Sequence, residues 1–260
     1  MNNEQYIMEH ILIMRDIEEV MEVEGKTIVF ETNRIDNIEN IRDTVSENNR
    51  LFCVKLRLNQ EITSIVFKEE WQNIPLVFYP TGLGNVRDLI GALPLIRKPN
   101  IKFFLDGGKE QNYEAVQILS SLGVHSGILI NENADWEKLT DLMYYALCGK
   151  VPHAPIEPFQ YLYDIYNRNT IADYDAVFFN DTDVFECFTT KDTKNHPLPP
   201  PKEGNAWQEF CYEASPCAAC EGWRICLGKY AALEDKTECR NFTGKWLNLI
   251  ENIKFKEPTG

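Results

Sequence analysis

Four cysteines between positions 217 and 239 carry the clearest chemical signal in this 260-residue chain. Cys217-Ala-Ala-Cys220 is a CxxC pair, Cys226 ends the run Glu-Gly-Trp-Arg-Ile-Cys226, and Cys239 closes the set. A CxxC lets two thiolates face one ion, and two more from farther along complete a four-sulfur shell that suits Zn²⁺ or an iron-sulfur cluster. Both accept four thiolates, so the count leaves the metal open. Such a shell has no vacant coordination position, which favours a redox or structural role over Lewis-acid chemistry. Disulfides are the competing reading. The chain opens without a basic segment followed by an apolar run of secretory type, so a cytoplasmic location with reduced thiols is expected.

Other polar residues carry weaker signals. Cys187 and Cys211 are possible alternative ligands, or buried thiols. Cys53 lies in an apolar run and Cys148 at a helix end, as core and boundary residues do. His10, His125, His153 and His196 are scattered and form no HExxH or other metal spacing. Asp106, ahead of Gly107 and Gly108, stands where a β/α unit presents polar groups. The Thr81-Gly-Leu-Gly84 turn could offer backbone amides to an anion, but lacks the lysine and spacing of a phosphate loop.

The formal net charge of -14 argues against nucleic-acid or anionic-membrane binding, which needs clustered Lys and Arg. A hydrophobic content of 44% with 25% charged residues is ordinary for a globular protein, and no apolar run is long enough to span a bilayer.

The elements that must position these residues follow from periodicity. Ile7, Ile11, Met14, Ile17 and Met21 recur at helical spacing before Gly25, which predicts an amphipathic helix within 1–25. Strands are expected at Thr27 to Glu31, Leu51 to Leu58, Pro75 to Tyr79, Ile101 to Leu105 and Val124 to Ile130. Helices are expected at Asp36 to Glu47, with Asp36 and Glu39 at capping-box spacing, and at Asn85 to Arg97, Gln111 to Leu122 and Asp135 to Leu147. The segment Ile62 to Gln72 fits neither period. Short apolar strands separated by helices imply an α/β protein, with five to six parallel β/α units in a partial barrel over 26–170. Pro152, Pro155 and Pro158 then break the pattern, and a helix is expected over Pro158 to Asn167. A hairpin over 176–188, a stiff proline connector over 195–201, and a closing helix through Trp246, Leu247, Leu249, Ile250 and Ile253 complete a region 171–260 that contains the cysteines.

Cys217-x2-Cys220-x5-Cys226, continued as Leu-Gly-Lys and closed by Cys239, resembles the carboxy-terminal SPASM domain of radical S-adenosylmethionine peptide-modifying enzymes. The hairpin through Val177 to Phe188, with Cys187 after its second strand, is similar to the turn that opens such a domain. The β/α units, with Phe104-Leu-Asp-Gly107 and Gly123 to Asn131, resemble the partial barrel those enzymes use. The resemblance implies that Cys217, Cys220, Cys226 and Cys239 hold one auxiliary 4Fe-4S cluster, with Zn²⁺ as the alternative. The family's cysteine that serves a further cluster is here Tyr230.

The chain has no CxxxCxxC motif, the element through which this family binds and cleaves S-adenosylmethionine. The expectation is therefore a degenerate member that binds no S-adenosylmethionine. It would act as an accessory or substrate-binding subunit in ribosomal peptide modification, with a peptide or protein substrate and a radical enzyme as partners. An iron-sulfur electron carrier and a zinc-stapled scaffold are the alternatives.

Overall fold

The computed structural model describes residues 11–131, 133–167, 220–222 and 236–254. Seven strands form a parallel sheet in sequential order: β1 (Ile11–Met14), β2 (Thr27–Thr32), β3 (Arg50–Arg57), β4 (Leu76–Tyr79), β5 (Ile101–Asp106), β6 (Ser126–Leu129) and β7 (Ile156–Glu157). Among the described residues seven α-helices accompany them: α1 (Ile17–Met21), α2 (Ile38–Asn48), α3 (Leu93–Ile96), α4 (Gln111–Ser121), α5 (Trp136–Cys148), α6 (Phe159–Asn167) and α7 (Lys236–Lys254). The chain divides into two compact units, Met1–Phe103 and Phe104–Gly260. Among the described residues no helix is long and apolar enough to cross a membrane.

In the first unit, β2, β3 and β4 are buried on both faces, as the continuous apolar runs require. One face packs an aromatic cluster: Phe78 stacks on Phe103 at 5.2 Å, and the ring of Phe67 meets Trp71, Phe78 and Phe103 edge-on. Phe67 and Trp71 come from the stretch without a clear period. Two 3-10 turns, Ile62–Ser64 and Glu69–Asn73, place them there.

Three expectations in this unit are corrected. Ile11–Met14 is a strand instead of part of a helix, because its four consecutive apolar residues pair in parallel with Thr27 to Phe30. Among the described residues of this stretch the helix is α1, capped by Asp16, whose Oδ1 accepts from the Glu18 N–H at 2.9 Å; positions 1–10 lie outside them. Asp36 and Glu39 form no capping box: Asn37 is the N-cap of α2 and makes no side-chain cap bond. Glu39 is drawn away to accept from the Trp71 indole at 3.0 Å and from Lys68 at 3.2 Å. Burial alone would raise its pKa, but its backbone hydrogen bond and those from Lys68 and Trp71 outweigh burial and lower it. The helix expected over Asn85 to Arg97 is split into a 3-10 turn, Val86–Leu89, and the single turn α3, with Gly91 between them.

In the second unit, α4 and α5 form at the expected places. Asp135 caps α5 by accepting from the N–H groups of Glu137 and Lys138, and Gly123 after α4 adopts φ 79°, a conformation glycine takes without strain. Strand β7 lies between Pro155 and Pro158 and pairs with β6, where the sequence reads only as a break. Gly127 lies so close to the Phe104 ring that a Cβ there would collide with it. The hairpin over 176–188 and the connector over 195–201 lie outside the described residues.

Candidate functional site

The helix that bears Cys239 has an apolar seat of its own. Phe242, Trp246, Leu247, Leu249 and Ile250 of α7 are buried. Phe242 contacts the rings of Trp136 and Phe159 at 5.8 and 6.3 Å, and Trp246 meets Tyr166 edge-on at 5.9 Å. Burial of this aromatic face fixes the helix axis. The polar residues of α7, with Cys239 near its start, therefore have a defined position.

Cys220 is brought to this helix. Gly222 is buried against Thr243, and a Cβ on it would collide with the Thr243 methyl group and lie 3.8 Å from the Cys220 Sγ. The Thr243 hydroxyl in turn donates to the Cys239 carbonyl at 2.9 Å. Cys220 and Glu221 thus line a cleft of about 700 Å³ with Glu238, Asn241, Thr243 and Lys245 of α7. Of the four expected ligands, Cys220 and Cys239 are described. Cys217 and Cys226 lie outside the described residues, as do Cys187 and Cys211. Among the described residues no three Cys, His, Asp or Glu side chains converge as a metal shell. The two described cysteines have the chemistry a thiolate-bound metal needs, and the glycine at position 222 is what lets the Cys220 segment lie against the helix.

Cys53 is buried in β3 and Cys148 is the last residue of α5, exposed. His153 is held by the carbonyls of Val151 and Ala146, at 2.9 and 3.2 Å, with its ring over Tyr145. That is a structural histidine.

A second polar constellation lies at the C-terminal ends of β5 and β6, where open α/β sheets place their sites. The Asp106 Oδ1 accepts from the Gly108 N–H at 2.9 Å and from the Asn131 side-chain amide at 2.6 Å. The amide of Asn112, a fully buried residue, donates to the Asp106 carbonyl at 2.9 Å, while its Oδ1 has no hydrogen-bond partner among the described residues. The Tyr113 hydroxyl donates to the Gly107 carbonyl at 2.8 Å and accepts from the Asp135 N–H at 3.0 Å. Burial, with the charges of Asp135 and Asp106 adding to it against that backbone bond, pushes the Tyr113 phenol up to about 12. Sequence reasoning singled out Asp106 and missed Asn112 and Tyr113, whose signal was two hydrogen-bonding side chains in the first turn of a helix after Gly-Gly. One carboxylate oxygen of Asp106 thus organises this turn, and the constellation braces the strand end.

The Thr81-Gly-Leu-Gly84 turn is also committed: the Thr81 N–H donates to the Gln60 carbonyl, and the carbonyls of Gly82 and Leu83 accept from Ile62 and Thr63. These bonds tie the loops after β3 and β4 together. No protein-family model, curated protein or solved structure matches this chain.

Proposed function

We propose that this protein is a cytoplasmic, non-radical accessory or substrate-binding subunit in ribosomal peptide modification. It would carry one metal centre, held by Cys217, Cys220, Cys226 and Cys239, and work beside a radical S-adenosylmethionine enzyme. In this reading the parallel sheet is a partial β/α barrel and the cysteine-rich segment is a SPASM-like domain. The observation that carries it is the placement of Cys220 against the helix that bears Cys239, with Gly222 and Thr243 as the contact. When bound, a 4Fe-4S cluster would supply electron transfer or structural support without an open coordination position. The chain's own residues would supply the apolar seat of α7, and the sheet edges a surface to which an extended peptide could add as a strand.

A zinc staple is the weaker reading. A metal that only staples serves a segment with little core, and α7 buries Phe242, Trp246 and Ile250.

The deciding experiment is anaerobic purification of the full chain, with iron, acid-labile sulfide and zinc measured per monomer alongside the visible spectrum. About four irons with matching sulfide are expected. About one zinc and no colour would replace the cluster with the staple. Anaerobic co-purification with a radical maturase tests the partnership, and cleavage of S-adenosylmethionine by the chain alone would overturn the non-radical assignment.

A further inference from the structure

Of the two outer strands of the sheet, β1 offers the edge that another chain could extend. β7 is two residues long and lies between Pro155 and Pro158, which carry no N–H to donate. β1 pairs along all four of its residues with β2, from Ile11 opposite Thr27 to Met14 opposite Phe30, and with no other strand among the described residues. In a parallel pair alternate residues turn their backbone groups toward the neighbour, and those between them turn theirs outward. Among the described residues that outward row has no partner.

Proteins blunt an open edge with proline, charge or a bulge. Ile11-Leu12-Ile13-Met14 contains no proline and no charge, and its register with β2 runs without a bulge. Leu12 and Ile13 belong to opposite faces and both are half-buried, so each face of the edge keeps apolar surface to cover.

Charge selects the occupant. Helix α1 follows β1, packs against β1 and α2, and buries Val20. Glu18, Glu19, Glu22 and Glu24 are exposed on it and just after it, with Met21 64% exposed among them. None of these four carboxylates enters an ion pair among the described residues. The cations of the same stretch are Lys26 and Arg15, and Arg15 is bound to Glu31 through Nε at 2.8 Å and Nη2 at 2.7 Å. A second copy of this chain would bring an identical acidic wall to the edge, with a net charge of -14 on each molecule, so self-pairing is opposed. A strand of opposite charge is favoured. Its backbone continues the ladder, its apolar residues cover Leu12 or Ile13, and its Lys or Arg side chains meet the glutamates.

We propose that the open edge of β1 is the docking site for an extended basic peptide, which adds to the sheet as a further strand beside the glutamates of α1. This rests on the reading of the chain as a peptide-binding subunit, and it does not depend on the metal centre.

The test titrates the full-length protein, as purified and at low salt, into a rhodamine-labelled peptide of alternating lysine and valine, about eight residues long, with fluorescence anisotropy as the readout. Saturable binding is expected. A glutamate-valine peptide of the same length should bind at least about tenfold more weakly. N-methylation of two adjacent central residues blocks both edges of the basic peptide and keeps its charge, and should also weaken binding about tenfold or more. Glu18→Gln, Glu19→Gln and Glu22→Gln combined should weaken it by a similar factor. Glu114→Gln, Glu137→Gln and Asp141→Asn combined remove the same charge from α4 and α5 and should change binding by no more than about twofold. Hydrogen exchange then locates the peptide, which should slow exchange in the segment Ile11 to Met14. Binding without that protection overturns the edge assignment and leaves the peptide-binding reading standing. Failure of the basic peptide to bind, or equal binding of the acidic or the N-methylated peptide, overturns the proposal, and co-purification with a maturase then decides the wider reading. Protection of Ile11 to Met14 in the free protein, together with a dimeric mass, gives the edge to a second copy and also overturns it.

Discussion

The hydroxyl of Tyr113 donates to the carbonyl of Gly107, 2.8 Å away, and accepts from the backbone N–H of Asp135. One buried phenol thereby joins the turn after β5 to the start of α5. Tyr113→Phe leaves both backbone groups without this partner and should cost about 1–3 kcal/mol, measured by urea denaturation.

The same phenol predicts an alkaline limit. Its pKa is raised to about 12 in the folded protein, against 10.0 for an ordinary tyrosine. Between those values the unfolded chain has lost the proton that the folded chain still holds. The contribution of Tyr113 is therefore fully present below about pH 10 and is lost as pH rises toward 12. Denaturation midpoints across this window should fall less steeply in Tyr113→Phe than in wild type. Equal slopes would show that the phenol is not the titrating group.

Trp246 tests the seat of α7. Trp246→Ala removes a side chain 1% exposed and its contact with Tyr166, and should cost about 3–5 kcal/mol. The indole Nε1 is buried with no hydrogen-bond partner among the described residues. Trp246→Phe discards that donor while keeping a ring against Tyr166, so it should cost well under half as much. Thermal unfolding of the two variants side by side decides this.

Gly84 has φ 80°, and a Cβ there would strike the Thr63 side chain. Gly84→Ala combines backbone strain with that collision and should destabilise by about 1–3 kcal/mol. Gly25, at φ 67° with open space around its Cβ position, supplies the control for backbone strain alone.

Cys220→Ala should lower bound metal at least about tenfold if Cys220 is a ligand, with Cys53→Ala leaving metal content unchanged. Metal per monomer after anaerobic purification gives the readout. Retention of full metal content in Cys220→Ala would remove that cysteine from the ligand set.

The sequence by itself determined the parallel α/β class, because strands such as Leu76–Tyr79, and the Ile28-Val29-Phe30 centre of Thr27–Thr32, are apolar on both faces and alternate with helices whose caps and stops are local. Asp135 and Gly123 act within a turn of themselves, and they are where reading and structure agree. It also marked the cysteines, since ligand chemistry is carried by residue type and spacing. Only the tertiary structure decided the rest. Ile11–Met14 became a strand because β2 offered it an edge to pair with, overriding a helical period that local spacing supported. Glu39 left its capping position because Trp71, 32 residues away, presented an indole N–H. Ile156–Glu157 pairs with β6 although flanking prolines hide it. The grouping of Arg15, Glu31 and Arg57 spans three strands, and no spacing along the chain foretells it. In each case the deciding partner is distant in sequence, and its energy enters only once the sheet has formed.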